Sequence, residues 1–244
     1  MRNLRLEISY DGTRYRGWQR LPGVDHTIQG KLEQTLSRIL EEEIEISGSG
    51  RTDAGAHALG QVANFHCRSA MPADEILRQL RRYLPEDIGI YSCSEASERF
   101  HARLNAKDKT YRYRIWNSEA PCVFQRRYVA VLPEKLDLAA MEKAAEYFLG
   151  EHDFSAFCAV KSKKKSTVRR IDALRVYQKG EEIRIDVTGN GFLYNMVRIM
   201  AGTLVEVGLH QREADSIPEL FGSQRREAGR LMPSQGLCLM EVTY

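Results

Sequence analysis

The stretch from Ser47 to Phe65, S-G-S-G-R-T-D-A-G-A-H-A-L-G-Q-V-A-N-F, constrains this chain more than any other. An apolar alternation through Ile44 and Ile46 leads into it, and a second one opens at Gln61-Val62-Ala63-Asn64-Phe65. Between them Gly48, Gly50, Gly55 and Gly60 permit sharp turns and positive φ. The pattern predicts strand, tight loop, strand, with one carboxylate (Asp53) and one cation (Arg51) near the tip. Loops carried by rigid strands are where binding and catalytic groups concentrate.

Residue types alone leave several roles for this loop. A phosphate cradle would follow its glycines with Lys and Ser or Thr, whereas Gly55 is followed by Ala56-His57. A dinucleotide fingerprint would need a third glycine and a helix after the loop; Gly48-x-Gly50 lacks the one and a strand replaces the other. An Asp that only accepts backbone N–H bonds is the commonest role in such a turn. A reactive carboxylate remains the alternative.

The 244 residues suffice for one large domain or two small ones with a substantial core. The 36 Lys and Arg against 33 Asp and Glu give a net charge of only +3, so nucleic-acid binding must be argued from where the cations lie. Cys67, Cys93, Cys122, Cys158 and Cys238 are scattered without a C-x-x-C pair, which suits free thiols in a reducing compartment. No apolar run approaches a membrane span and the N-terminus lacks a secretory apolar region, so the expectation is a soluble, cytoplasmic protein. The histidines are dispersed without H-E-x-x-H spacing, and neither metal nor cofactor is expected.

In chain order, Leu4, Leu6 and Ile8 alternate with polar residues and predict a strand over 3–10. Arg14, Arg16 and Arg20 surround Tyr15 and Trp18; cations among aromatics fit either single-stranded nucleic acid or a surface loop anchored by one Trp. Thr27 reads as an N-cap for a helix running to about residue 42 on Ile28, Leu32, Leu36, Ile39 and Leu40. Strands are expected at 44–47, 60–67 and 88–97, with a helix after Pro72 whose polar face carries Arg78, Arg81 and Arg82. Three cations without acids among them would make a phosphate patch. The order β-α-β-β-α-β is that of a split-βαβ, ferredoxin-like unit, here 1–105, with a second α/β unit over 106–244.

In that second unit, Thr110 to Trp116 places Tyr111, Tyr113 and Ile115 on one strand face and Arg112 and Arg114 on the other. A helix over 137–149 and strands near 171–178 and 182–188 follow. The block with Lys163, Lys164 and Arg169 is either a solvated loop or an RNA-backbone contact. A helix over Phe192–Gly202 is apolar nearly all round except for Arg198, a cation that needs an anion, whether a carboxylate or a phosphate. A short helix at 211–221 and a strand at 237–243 complete the reading.

The string Gly50-Arg51-Thr52-Asp53-Ala54-Gly55, with His57-Ala58 and Gly60-Gln61-Val62, closely resembles the signature of the tRNA pseudouridine synthase A family. The resemblance extends through Phe100-His101-Ala102, Lys109-x-Tyr111-x-Tyr113, Asp153-Phe154, Gly189-Asn190-x-Phe192 and Met196-Val197-Arg198. Where that family has A-P-A-x-G-L, this chain has Met232-Pro233-Ser234-Gln235-Gly236-Leu237. The resemblance implies an α+β pseudouridine synthase fold of two ferredoxin-like-derived halves around a catalytic cleft. It implies isomerisation of uridine at positions 38 to 40 of the tRNA anticodon stem-loop, by a cytoplasmic homodimer that needs no cofactor. It implies Asp53 as nucleophile, Arg198 as its charge partner and Tyr111 against the base. Arg51, next to the nucleophile, and Phe192 are further candidate substrate contacts. Arg14, Arg16, Arg20, Arg78, Arg82, Lys163, Lys164 and Arg169 are the expected RNA-backbone residues. A uracil C5 methyltransferase, the enzymatic rival, would need an activated thiol, and no cysteine here stands in such a motif.

Overall fold

The computed structural model describes residues 1–24, 26–159 and 166–244. It contains two compact units, Met1–Lys107 with Leu239–Tyr244, and Asp108–Cys238. No helix among the described residues is long and apolar enough to cross a membrane.

The first unit is built on β1 (Arg2–Tyr10), α1 (Ile28–Leu40), β2 (Ile46–Gly48), β3 (His57–Cys67), α2 (Ala73–Tyr83) and β4 (Ile88–Ala96). β1 is central and antiparallel to both β3 and β4, while β2 lies antiparallel on β3 through Ile46↔Phe65. That spatial order, 4-1-3-2, is the ferredoxin-like plan the sequence pattern predicts. Leu4, Leu6 and Ile8 from β1, Ile28, Leu32 and Leu36 from α1, and Ile76 and Leu80 from α2 are fully buried, the expected outcome of period 2 in the strand and 3.6 in the helices. The Thr27 side chain caps α1 by accepting from Gly30 N at 3.2 Å. The helix stops at Leu40 because Glu41 takes the left-handed conformation (φ 54°), which cannot propagate a right-handed helix.

The second unit contains β5 (Lys109–Trp116), β6 (Ala130–Val131), α3 (Leu138–Glu146), β7 (Gly150–Asp153), β8 (Val168–Lys179), β9 (Glu182–Gly189) and α4 (Met196–Gly208); β10 (Leu237–Val242) follows. β5, β9, β8 and β7 lie antiparallel in that order. Tyr111, Tyr113 and Ile115 with Ile183, Ile185 and Val187 form the buried face. The opposite face carries a charge ladder: Arg112 donates twice to Asp186 at 2.7 Å, and Glu182 accepts from Arg114 and Arg184.

Burial alone would raise the Glu182 pKa, but the two guanidinium groups outweigh it and hold the carboxyl below its ordinary value. Its contribution to stability is therefore present above the unfolded carboxylate range and lost as pH falls through the lower folded value. Glu182→Gln is expected to cost about 1–3 kcal/mol at pH 7. The gap to wild type should narrow near pH 3 in urea titrations; an unchanged gap would refute the assignment.

Two expectations are corrected here, and two strands are added. The apolar helix spans Met196–Gly208 rather than 192–202, because Asn195 sits at φ 63° and forces the turn before it out of the helix. Residues 211–221 form no α-helix; Ala214–Leu220 is a 3₁₀ segment with Pro218 inside it, and proline has no N–H for an α-helical ladder. Strands β6 and β7, two and four residues long, are too short to show a period.

Candidate active site

The Asp53 loop is held from both sides by its own unit. On the entering side Ser49 N donates to Val62 O (2.8 Å), the Ser49 hydroxyl to Gln61 Oε1 (2.6 Å), and Gln61 Nε2 to Gly50 O (3.0 Å). Gln61 is wholly buried at 0 % exposure, so it serves as an internal stitch. Beyond the tip, Ala56 N donates to Asp53 O (3.1 Å), closing a turn that places Gly55 at φ 78°, a conformation glycine adopts without strain.

The segment from Tyr10 to Trp18 forms the other wall. Trp18 N donates to Thr52 O (3.1 Å), Gly55 N donates to Tyr15 O (3.2 Å), and the Tyr10 and Thr52 hydroxyls share a hydrogen bond of 2.7 Å. A Cβ on Gly12 would lie 1.8 Å from Ala56 O, and one on Gly48 would lie 2.6 Å from the Trp18 ring. Trp18 is only 2 % exposed and Tyr15 is buried. The two aromatics of the basic segment therefore brace the loop and are not stacking platforms for bases. Asp53 itself is half-buried and Arg51 exposed at the tip. We expect Gly12→Ala to destabilise the protein by about 1–3 kcal/mol, because its close neighbour is backbone that cannot swing away. The shift should appear in the urea midpoint, with a parallel loss of catalytic rate; an unaltered midpoint would mean the loop yields without cost.

In the second unit, Gly189-Asn190-Gly191 turns the chain back onto β8. Asn190 N donates to Arg170 O and Asn190 Oδ1 accepts from Arg170 N, both at 3.1 Å. The turn presents Phe192 edge-on to Tyr111, ring centroids 5.1 Å apart at 82°. Tyr111 is 6 % exposed. Arg198, in the first turn of α4, donates from Nε to Met232 O (2.7 Å) and from Nη1 to Asn195 Oδ1 (2.9 Å). The left-handed Asn195 that delays the helix thus also fixes the guanidinium.

Residues 229–236 form a strap that supports this arrangement. Gly229 N donates to Thr203 Oγ1 (3.0 Å), and a Cβ on Gly202 would lie 1.8 Å from Arg230 O. Tyr113 donates its hydroxyl to Pro233 O (2.6 Å), and burial pushes its phenol pKa well above the ordinary value. The segment that departs from the family pattern therefore supplies the backbone oxygens that hold Arg198 and Tyr113. Sequence reading did not find Tyr10, Gly12, Thr52, Gln61, Asn195 or Met232 as positioning groups; each acts on a partner through space. The local signal was that Thr52, Gln61 and Met232 stand inside the quoted segments and Asn195 beside one, which says nothing of their partners.

The expected RNA-backbone cations are differently engaged. Arg14 donates to Asp87 Oδ2 at 2.6 and 3.1 Å, and Arg20 pairs with the buried Glu33 at 3.0 Å. Arg78 pairs with Glu75 at 2.5 Å and lies 3.9 Å from Asp74, which corrects the reading of this helix face as cations without acids. Arg81 donates to the Ile90 and Tyr91 carbonyls. Arg82 lies 5.5 Å from the Tyr83 ring centroid, and Arg16 is exposed. Arg169 donates to Ser166 O (3.0 Å) and Val168 O (2.6 Å), and burial lowers its pKa. Lys163 and Lys164 lie outside the described residues.

A sequence model of the family described as tRNA pseudouridine synthase matches residues 8–105 and 144–244. A Bacillus cereus protein named tRNA pseudouridine synthase A 2 is 46% identical over 245 residues, covering 100% of both chains. Proteins named tRNA pseudouridine synthase A from a Bacillus species and from Acetivibrio thermocellus are 46% and 45% identical, again over 100% of both chains. Matched over its full length by such relatives, and in both units by the family's sequence model, the chain belongs to the tRNA pseudouridine synthase family.

Proposed function

We propose that this protein isomerises uridine to pseudouridine at positions 38, 39 or 40 of the tRNA anticodon stem-loop, with Asp53 as the nucleophile. The observation that carries the reading is the Asp53 loop itself, set in the family's signature string and braced on both sides by hydrogen bonds. In the reaction the N1–C1′ bond breaks, the uracil turns, and C5 bonds to C1′; the C5 proton is lost and N1 gains one. Atoms balance without oxidant, donor or triphosphate. Asp53 acts by adding to C1′ or to C6 of the ring, and either route needs it ionised.

In this reading Arg198 keeps that carboxylate charged. A guanidinium does not deprotonate at usable pH, and a nearby cation opposes the upward pKa shift that enclosure causes. Tyr111, backed edge-on by Phe192, takes the flat face of the uracil. Its first role in this reading is stacking and positioning, with transfer of the C5 proton second. A stacked uridine cannot reach the loop, so the nucleotide is flipped out, with exposed Arg51 contacting the backbone or filling the vacated stack. The relatives' names and the family match support a tRNA substrate, and we extend the reading to a cytoplasmic homodimer; the five free cysteines suit that compartment.

The test is to incubate the protein with unmodified tRNA, adding no cofactor, and to map pseudouridine at nucleotide resolution. New pseudouridine at 38 to 40 is the expected result. Conversion confined to other positions, or none at all, would overturn the proposal, and a product that forms only with a methyl donor would favour the methyltransferase.

A further inference from the structure

The first unit contains a second feature that the reaction does not use. Between α1 and α2 runs a groove of about 840 Å³, bounded at one end by Arg14, Tyr15 and Asp87. Lys31 and Arg38 line it from α1, and Tyr83 lines it from α2. The one acidic residue in its lining, Asp87, is already occupied: Arg14 donates to it at 2.6 Å, and the Tyr15 hydroxyl donates at 2.6 Å. Lys31 and Arg38 form no ion pair among the described residues. Tyr83 is 49 % exposed, and the guanidinium carbons of Arg38 and Arg82 lie 5.7 and 5.5 Å from its ring centroid. Cation–π attraction of this kind holds the Arg38 guanidinium at the groove and keeps that of Arg82 beside it on the same ring.

We propose that this groove binds sugar–phosphate backbone of the substrate tRNA, on a segment other than the one that carries the target uridine. The spacing of the charges favours a polynucleotide. Lys31 and Arg38 are seven residues apart on α1, about 10 Å along its axis, so they address two phosphates rather than one. Strips of cations that track successive phosphates, with guanidinium planes available for stacking, are how single strands and RNA loops are gripped. The groove also adjoins the Asp53 loop: Tyr15 is one of its lining residues and donates its hydroxyl to Asp87 there, while its carbonyl accepts from Gly55 N at 3.2 Å. RNA seated there would lie against the same tyrosine that braces Asp53. Tyr83 is a positioning residue, acting through the two arginines.

The proposal rests on the reading of the chain as a tRNA-modifying isomerase, and measuring binding apart from turnover separates the two. The Lys31→Gln/Arg38→Gln double variant changes two surface residues of a helix to a good helix former. Losing two phosphate contacts should raise KM for whole tRNA about tenfold near 0.2 M salt, and flatten the slope of log affinity against log salt by about 1.4–1.8. The loss should fall on KM and not on the rate at saturation. A Lys135→Gln/Lys143→Gln control removes the same charge from exposed positions of the second unit and should bind as wild type. Tyr83→Leu should weaken binding several-fold, and Tyr83→Phe, which keeps the ring, should restore it.

An unchanged KM and salt slope in the double variant would overturn the proposal, as would an equal loss in the control. Uridine monophosphate binding that depends on Lys31 and Arg38 while tRNA affinity does not would also overturn it, and would mark a small-nucleotide site. If the wild-type protein makes no pseudouridine but its tRNA binding still depends on Lys31 and Arg38, the groove stands and the reading of the reaction fails.

Discussion

Asp53→Asn is expected to lower pseudouridine formation by at least about a thousandfold, with tRNA affinity held within about threefold. The substitution is nearly isosteric. Ala56 N donates to the main-chain oxygen of residue 53 (3.1 Å), and the bonds through Tyr10, Thr52 and Gln61 do not involve the Asp53 carboxylate. The loop should therefore keep its shape while losing its charge. A neutral amide can neither add to C1′ nor to C6 as a carboxylate does. Single-turnover conversion of unmodified tRNA, run beside equilibrium binding, reads both quantities. Retained turnover would mean that another group carries the chemistry, and affinity lost together with rate would mean that the loop has collapsed.

Arg198→Lys is expected to reduce the rate about 100-fold in a protein that remains folded. Charge alone is kept by lysine. What is lost is a planar fork whose Nε is committed to Met232 O at 2.7 Å and whose Nη1 is committed to Asn195 Oδ1 at 2.9 Å. Those two bonds orient the remainder of the guanidinium, and an ammonium on a flexible stem cannot reproduce them together. Loss of both should cost about 1–3 kcal/mol of stability, small enough to be separated from the kinetic defect by a urea titration. Wild-type turnover in the lysine variant would reduce Arg198 to a structural ion. Gly202→Ala tests the same support from behind. A Cβ there would lie 1.8 Å from Arg230 O, so the strap should shift, move Met232 off Arg198, and lower the rate without changing any polar residue.

Elements governed by near neighbours were legible in the sequence. The strand at β1, the Thr27 cap, the helix after Pro72 and the alternation of Tyr111 and Tyr113 all follow from side chains one to four positions apart. Asn195 shows where that reasoning stopped. Its neighbours are apolar at helical spacing, yet its left-handed φ of 63° moves the start of α4 by four residues, and the side chain that compensates belongs to Arg198. Trp18 shows the same limit: beside Arg14, Arg16 and Arg20 its residue types fit a base platform or an anchor alike, and although the family's similar Y-D-G…G-W-Q segment favours a structural role, the partner it packs on, Gly48, is visible only in the fold.

By itself, then, the sequence determined the α+β class, the order of elements in the first unit and the main strands of the second, and the glycine-rich loop on which Asp53 stands, because periodicity and turn chemistry are written in consecutive residues. Tertiary structure alone decided that Gly12 must lack a side chain because of Ala56, that Arg198 is held by the backbone of Met232, and that Leu239–Tyr244 groups with the first unit. The reason is physical: these contacts join residues tens to more than a hundred positions apart, and a hydrogen bond or close approach across such a separation leaves no local period in the chain.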